Sequence, residues 1–66
     1  MKLIINGEEK NISKDLSLKQ IILDLKIENK VMAAAVNMEI VKKQEWDKFI
    51  PKENDKIELL QFVGGG

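Results

Sequence analysis

The chemically distinctive residues of this 66-residue chain are its last three, Gly64, Gly65 and Gly66. An α-carboxyl group in a peptide has a pKa of about 3.5, so the Gly66 carboxylate is ionised at neutral pH and can act as a nucleophile. Glycine lacks a Cβ and moves freely, which predicts a flexible tail over 64–66 that can enter a narrow channel of another protein. The sequence therefore favours chemistry at the terminal carboxylate. The alternative is that the glycines are simply a frayed terminus.

The side chains needed for most catalytic and metal-binding chemistry are missing from the sequence. Cys, His and Tyr do not occur, so a thiolate nucleophile and a Ser-His-Asp set are excluded and a zinc site is not expected. The phosphate-binding pattern G-x-x-x-x-G-K-[ST] is absent, and adjacent acids such as Glu8 and Glu9 are typical of a solvated turn. We therefore expect a protein that is not an enzyme and that binds no metal or cofactor itself.

Length, charge and hydropathy narrow the class of protein further. A chain of 66 residues forms one small domain with little room for a catalytic cleft. Its 11 basic and 11 acidic residues give a formal net charge of zero, which argues against a nucleic-acid partner. Apolar runs fall short of the roughly 20 residues of a membrane span, and residues 1–5 are too short for a signal peptide. The expected location is the cytoplasm, with no membrane partner.

The elements that must position the tail begin with a β-hairpin. Apolar and polar residues partly alternate over 1–6, as in a strand with one buried face. Asn6 and Gly7 are typical of a two-residue hairpin turn because both tolerate a positive φ. A second strand is expected over 8–12.

A helix is expected over 17–27. Ser17 and Gln20 have the spacing of a capping box. Apolar residues then recur at helical spacing and form one stripe that must be buried. The stripe consists of Leu18, Ile21, Ile22 and Leu25.

The second half of the chain predicts three more strands. Residues 31–36 are rich in alanine, which favours a helix, but the segment is short and ends at a turn-forming Asn, so we interpret it as a strand. A short return strand follows at 40–41. A polar loop over 42–54 is expected to be held down by its apolar residues, among them Trp46. The last strand is expected over 56–63.

These elements predict an α+β fold with a mixed sheet of four to five strands and one main helix across one face. The folded domain is expected to span 1–63 and the flexible glycine tail 64–66. The first and last strands are placed side by side, which makes the sheet mixed. The expected core consists of Leu3, Ile5, Leu18, Ile21, Ile22, Leu25, Ile57 and Leu59.

The outer face of the sheet, away from the helix, is a candidate docking surface. If Ile57 and Leu59 face the helix, Leu60 and Phe62 face away from it, and Ile4 on the neighbouring strand shares their face. Three clustered apolar side chains beside the root of the tail indicate a partner site. The alternative is that a loop residue such as Phe49 covers them.

The order of these elements resembles the ubiquitin-like β-grasp fold, and the sequence resembles the ThiS family, the sulfur carriers of thiamine biosynthesis. The resemblance covers essentially the whole chain. It is carried by M-K-L-I-I-N-G at 1–7, A-V-N-M-E-I-V at 35–41, Trp46, D-K-I-E-L at 55–59 and F-V-G-G-G at 62–66. The chain departs from the family pattern at four positions, since the family usually has Gly at 38, often Pro-Arg at 42–43 and usually Gly at 54, whereas the tail is intact.

The resemblance implies that a separate ThiF-like adenylating enzyme uses ATP and Mg²⁺ to convert the Gly66 carboxylate into an acyl-adenylate. Sulfur drawn from cysteine, through a cysteine desulfurase or another persulfide protein, then replaces AMP and leaves a thiocarboxylate on Gly66. Thiazole synthase takes this sulfur for the thiazole ring. The side-chain inventory agrees, because a chain without Cys cannot carry sulfur as its own persulfide.

Three alternatives remain open from the sequence. The chain could be a sulfur carrier of the type of the small subunit of molybdopterin synthase, although those chains are typically longer. It could be a ubiquitin-like binding module whose tail does nothing. It could also be a modifier that is conjugated to lysine side chains through Gly66.

Overall fold

A five-stranded mixed sheet forms one layer of the protein, in a computed structural model that describes residues 1–61. Its strands are β1 (Lys2–Ile5), β2 (Glu8–Asn11), β3 (Val31–Val36), β4 (Glu39–Val41) and β5 (Lys56–Gln61). Their spatial order is β2-β1-β5-β3-β4. β1 and β5 run parallel, and the other neighbours are antiparallel. The predicted arrangement of the first and last strands is therefore confirmed.

The β1–β2 turn is the predicted two-residue hairpin. Asn6 and Gly7 both have a positive φ, 50° and 85°, as this turn type requires. The Asn6 side chain has a second role, because its Oδ1 accepts the backbone N–H of Leu59 at 2.8 Å. The last parallel pair between β1 and β5 joins Ile5 to Ile57. The Asn6 side chain thus continues the hydrogen bonding to β5 beyond the point where the β1 backbone turns away.

The turn between β3 and β4 has the same geometry with a less suitable residue. Asn37 and Met38 have φ values of 51° and 71°. Gly at the second position would avoid the steric cost of a Cβ in this left-handed conformation. Asn54, where the ThiS pattern also has Gly, has a φ of 70°. Both positions therefore adopt a left-handed conformation without the glycine that the resemblance leads us to expect.

The helix α1 (Leu18–Asp24) begins where the sequence predicts and ends earlier. The capping box is present, since the Ser17 hydroxyl accepts the Gln20 N–H at 3.1 Å and Gln20 Oε1 accepts the Ser17 N–H at 3.0 Å. At the other end Lys26 adopts a left-handed conformation with a φ of 61°. The Ile27 N–H then donates to the Ile22 carbonyl, which is the pattern of a Schellman motif. The prediction of a helix extending to residue 27 was wrong for this reason.

The loop after β4 is held against the start of α1. It contains a 3-10 turn (Lys43–Glu45), followed by Trp46, whose side chain is buried. The Trp46 indole N–H donates to the Val41 carbonyl at 2.9 Å. The Trp46 backbone carbonyl accepts the Lys19 N–H at 3.0 Å, and the Phe49 carbonyl accepts the Leu18 N–H at 2.7 Å. The interpretation of Trp46 as a loop anchor is confirmed, and its segment also satisfies donors of the first helical turn.

The core lies between α1 and the inner face of the sheet. Seven of the eight predicted core residues are buried, and the eighth, Leu25, is partly buried because α1 has already ended there. Four hydrophobic residues that the prediction omitted also belong to the buried core: Val31, Ala34, Val36 and Trp46. Alanine in β3 thus contributes directly to the surface that meets the helix.

A β-bulge at Met32 lets β3 bury both of its ends. The register runs from Ala33 opposite Leu60 to Val31 opposite Gln61, which leaves Met32 as one extra residue on β3. Strict alternation would place Val31 on the same face as Ala33. With the bulge, Val31 joins Ala34 in the core, while Met32 is half exposed.

Candidate functional site

The central strand β5 positions the root of the C-terminal tail. It lies between β1 and β3, and its final described residue, Gln61, pairs with Val31. At this end of β5 the backbone pairing comes from β3, because the pairs with β1 end at Ile57. The predicted modification site at Gly66, the flexible tail over 64–66 and the Phe62 part of the docking surface lie outside the described residues.

The outer face of the sheet carries the other two residues of the predicted docking surface. Ile57 and Leu59 are buried against the core, whereas Leu60 between them and the tail is 61% exposed. Ile4 is partly buried and lies between the inward-facing residues Leu3 and Ile5. Both Ile4 and Leu60 thus occupy the outer face, and their role in docking stays a prediction.

Ile4 and Leu60 are not brought into contact by the sheet. The parallel register pairs Ile4 with Lys56, four residues before Leu60. At about 3.3 Å per residue, this separates the two side chains by about 13 Å along the strand. The expectation that they sit close together was wrong, because the sequence does not reveal the register of a parallel strand pair.

The sequence did not reveal that Ile40 on β4 is an apolar neighbour of Leu60. Ala33 lies opposite Leu60, and Ala35 lies between Glu58 on one side and Ile40 on the other. Because these alanines are small, Ile40 and Leu60 line one shallow depression of the outer face across β3. Ile40 is 71% exposed. The two-residue turn at Asn37 could have revealed this, since it fixes Ala35 opposite Ile40.

The loop residue Phe49 does not shield this depression. Phe49 is partly buried and packs against the core, and its carbonyl binds the start of α1. Leu60 and Ile40 remain exposed among the described residues. The outer face therefore presents apolar side chains to any protein that approaches the root of the tail.

The described part of the chain offers little other chemistry. Within residues 1–61, His, Cys, Asp and Glu form no group of three or more suited to hold a metal ion. In the same residues no helix has both the length and the apolar character of a membrane span.

Comparison with known proteins gives consistent matches. A model of the ThiS family matches residues 3–66. The sulfur carrier protein ThiS of Bacillus subtilis is 31% identical over 63 residues, which is 94% of this chain and 96% of that protein. The thiazole synthase of Paramagnetospirillum magneticum is 36% identical over 66 residues, which is 100% of this chain. This chain spans only 20% of that synthase.

A solved structure matches over the whole fold. The crystal structure of the thiamine biosynthesis protein ThiS from Geobacter metallireducens superposes with a TM-score of 0.82 at 27% identity, covering 100% of both chains. This likeness confirms the predicted ubiquitin-like β-grasp architecture, an α+β fold with one helix across a mixed sheet. With the match over residues 3–66, it follows that the chain belongs to the ThiS family, the sulfur carrier proteins of thiamine biosynthesis.

Proposed function

We propose that this chain carries sulfur for thiazole formation as a thiocarboxylate on Gly66. The observation that carries the proposal is the position of β5, the central strand whose end at Gln61 leads directly into F-V-G-G-G. Five residues span at most about 17 Å when fully extended. The domain can therefore dock outside a partner's active site while the carboxylate reaches inside.

The first step of the proposed mechanism is activation of the carboxylate. A ThiF-like adenylating enzyme holds ATP and Mg²⁺, and a Gly66 carboxylate oxygen attacks the α-phosphorus, with pyrophosphate as the leaving group. This chain supplies the nucleophile and the docking surface, and we assign ATP binding to the partner. The absence of a phosphate-binding loop from the sequence supports that division.

The second step is sulfur loading. The terminal sulfur of a persulfide, held by a cysteine desulfurase or a related donor, attacks the Gly66 carbonyl carbon and AMP leaves. Reduction of the resulting acyl disulfide by a thiol yields the thiocarboxylate. Because this chain has no Cys, the loaded tail cannot be diverted to a thioester or disulfide within its own chain.

Thiazole synthase is the proposed acceptor of the sulfur. The relative from Paramagnetospirillum magneticum is a thiazole synthase and also contains a stretch that matches this whole chain. A carrier and its acceptor joined in one polypeptide meet at a high effective concentration. This supports thiazole synthase as the acceptor of sulfur from this chain.

The proposed function predicts direct transfer of sulfur. The chain is loaded with isotopically labelled sulfur, purified, and incubated with thiazole synthase and its other substrates. The label is expected in the thiazole product, in proportion to the thiocarboxylate consumed. A thiazole product that contains no label would contradict the assignment, and chain that was never adenylated serves as the control.

Docking is proposed to use the outer face beside the tail, including Leu60 and Ile4, together with Phe62, which follows β5 in the sequence. Truncating an apolar residue at the centre of an interface commonly weakens binding by tenfold or more. We expect Phe62→Ala to weaken both complexes by roughly thirtyfold and Leu60→Ala by about tenfold. Calorimetry with the adenylating enzyme and with thiazole synthase measures this.

The matched control for Leu60→Ala is Leu23→Ala. Leu23 is an exposed apolar residue on α1, which covers the opposite face of the sheet. Its truncation should leave both affinities unchanged. Equal affinities for Leu60→Ala, Phe62→Ala and the unsubstituted chain would show that the outer face takes no part in docking.

A further inference from the structure

Two shallow apolar depressions on the outer face meet at one acidic residue, Glu58. One depression is lined by Ile4 and by Met38, which is 89% exposed. The other is lined by Leu60 and Ile40. Glu58 lines both of them. Its carboxylate therefore lies in the middle of the surface that we propose for docking.

Glu58 forms no ion pair among the described residues 1–61, although Lys56 lies two residues earlier on the same face of β5. The two ion pairs among residues 1–61 join Lys2 to Glu9 and Lys10 to Glu8, both involving the first hairpin. The residue opposite Glu58 on β3 is Ala35, which is small and apolar. Residues 62–66 add no cationic side chain. Lys56 lines the first depression but not the second, so on its Leu60–Ile40 side the Glu58 carboxylate has no cationic neighbour among the described residues.

A carboxylate that is not held in an ion pair restricts which protein surfaces can bury it. Burying Glu58 under a wholly apolar surface would remove its hydration without replacement, which is strongly unfavourable. A partner with an Arg or Lys side chain at the matching position replaces the lost water by a charge-assisted hydrogen bond. The surrounding apolar residues exclude water and strengthen that contact.

We propose that Glu58 is a specificity-determining residue of the docking face and that thiazole synthase meets it with an Arg or Lys side chain ringed by apolar side chains. This inference rests on the proposed function, which supplies the docking partner. The synthase is chosen as the occupant because the matching stretch in the relative from Paramagnetospirillum magneticum is part of a thiazole synthase. The negative charge of Glu58 requires a positively charged side chain at the facing position of the synthase.

The substitution that tests this inference is Glu58→Gln, which keeps the shape of the side chain and removes its charge. Affinity for thiazole synthase, measured by calorimetry at low salt, is expected to fall by about tenfold or more. Rising salt should weaken binding of the unsubstituted chain and affect Glu58→Gln much less, because salt screens the charge pair. Glu58→Lys should weaken binding further, since it sets two cations against each other.

The control is Glu28→Gln, which removes an exposed carboxylate between α1 and β3, away from both depressions. It should bind as the unsubstituted chain does, and all variants should unfold at the same denaturant concentration. Unchanged affinity of Glu58→Gln at low salt, or weakening confined to the adenylating enzyme, would overturn the inference. Failure of the unsubstituted chain to bind thiazole synthase at all would instead overturn the proposed function, and this inference with it.

Discussion

Removal of Gly66 is expected to abolish adenylation while leaving the fold intact. The deletion draws the terminal carboxylate back by up to about 3.5 Å, the length of one extended residue. Attack on the α-phosphorus of ATP requires the carboxylate oxygen in line at contact distance, and a misplacement of about 1 Å can reduce a rate by about a hundredfold. ATP–pyrophosphate exchange catalysed by the adenylating enzyme measures the effect, and the expected loss is at least about hundredfold.

Adding one residue after Gly66 should have the same effect by carrying the carboxylate too far. Both variants should keep the unfolding free energy of the parent, because the buried core lies between Leu3 and Leu59. An additional control is Gly64→Ala, which preserves the length of the chain and should retain more activity than either variant. Normal exchange with the shortened chain would show that the Gly66 carboxylate is not the activated group.

Trp46→Ala is expected to be the most destabilising single substitution of the loop. The side chain is 3% exposed, and its indole N–H binds the Val41 carbonyl. Truncating a buried Trp to Ala commonly lowers the free energy of unfolding by about 3–5 kcal/mol. A domain of this size has a total of roughly 3–10 kcal/mol. We therefore expect a largely unfolded protein at 37 °C, with urea denaturation as the measurement.

Two further variants separate the causes of this loss. Trp46→Phe keeps an aromatic ring but leaves the Val41 carbonyl without its donor, so its cost should be smaller, about 1–3 kcal/mol. Ile50→Ala truncates a half-exposed residue of the same loop and should change stability by less than about 0.5 kcal/mol. Equal stability of Trp46→Ala and the parent would contradict the role of Trp46 as the anchor of this segment.

The sequence predicted correctly those structural features that depend on residues close together in the chain. The Asn6–Gly7 turn and the Ser17 capping box depend on residues that are adjacent or three apart, and both appear in the structure. The early end of α1 had no such signal, because the left-handed position is occupied by Lys26 instead of glycine. The bulge at Met32 likewise depends on how β3 pairs with a strand far away in the sequence.

In the candidate site, too, features with local causes could be predicted from the sequence, and features that depend on strand pairing could not. The terminal carboxylate and the outward direction of Leu60 follow from residue types and from the alternation of one strand. The separation of Ile4 from Leu60, and the placement of Glu58 between two apolar depressions, depend on the register between strands and on the β3–β4 hairpin. The proposal for the tail therefore rests on the sequence, whereas the arrangement of the outer face required the structure.

The central claim is that Gly66 carries sulfur as a thiocarboxylate, and the intact mass of the chain tests it most directly. The purified chain is incubated with the adenylating enzyme, ATP, Mg²⁺ and a persulfide donor with reductant, then analysed by mass spectrometry with fragmentation from the C-terminus. We predict the mass change of one oxygen replaced by one sulfur, confined to the fragment that contains Gly66 and absent when ATP is omitted. An unchanged mass under complete conditions, or an adduct on a lysine side chain instead, would contradict the claim.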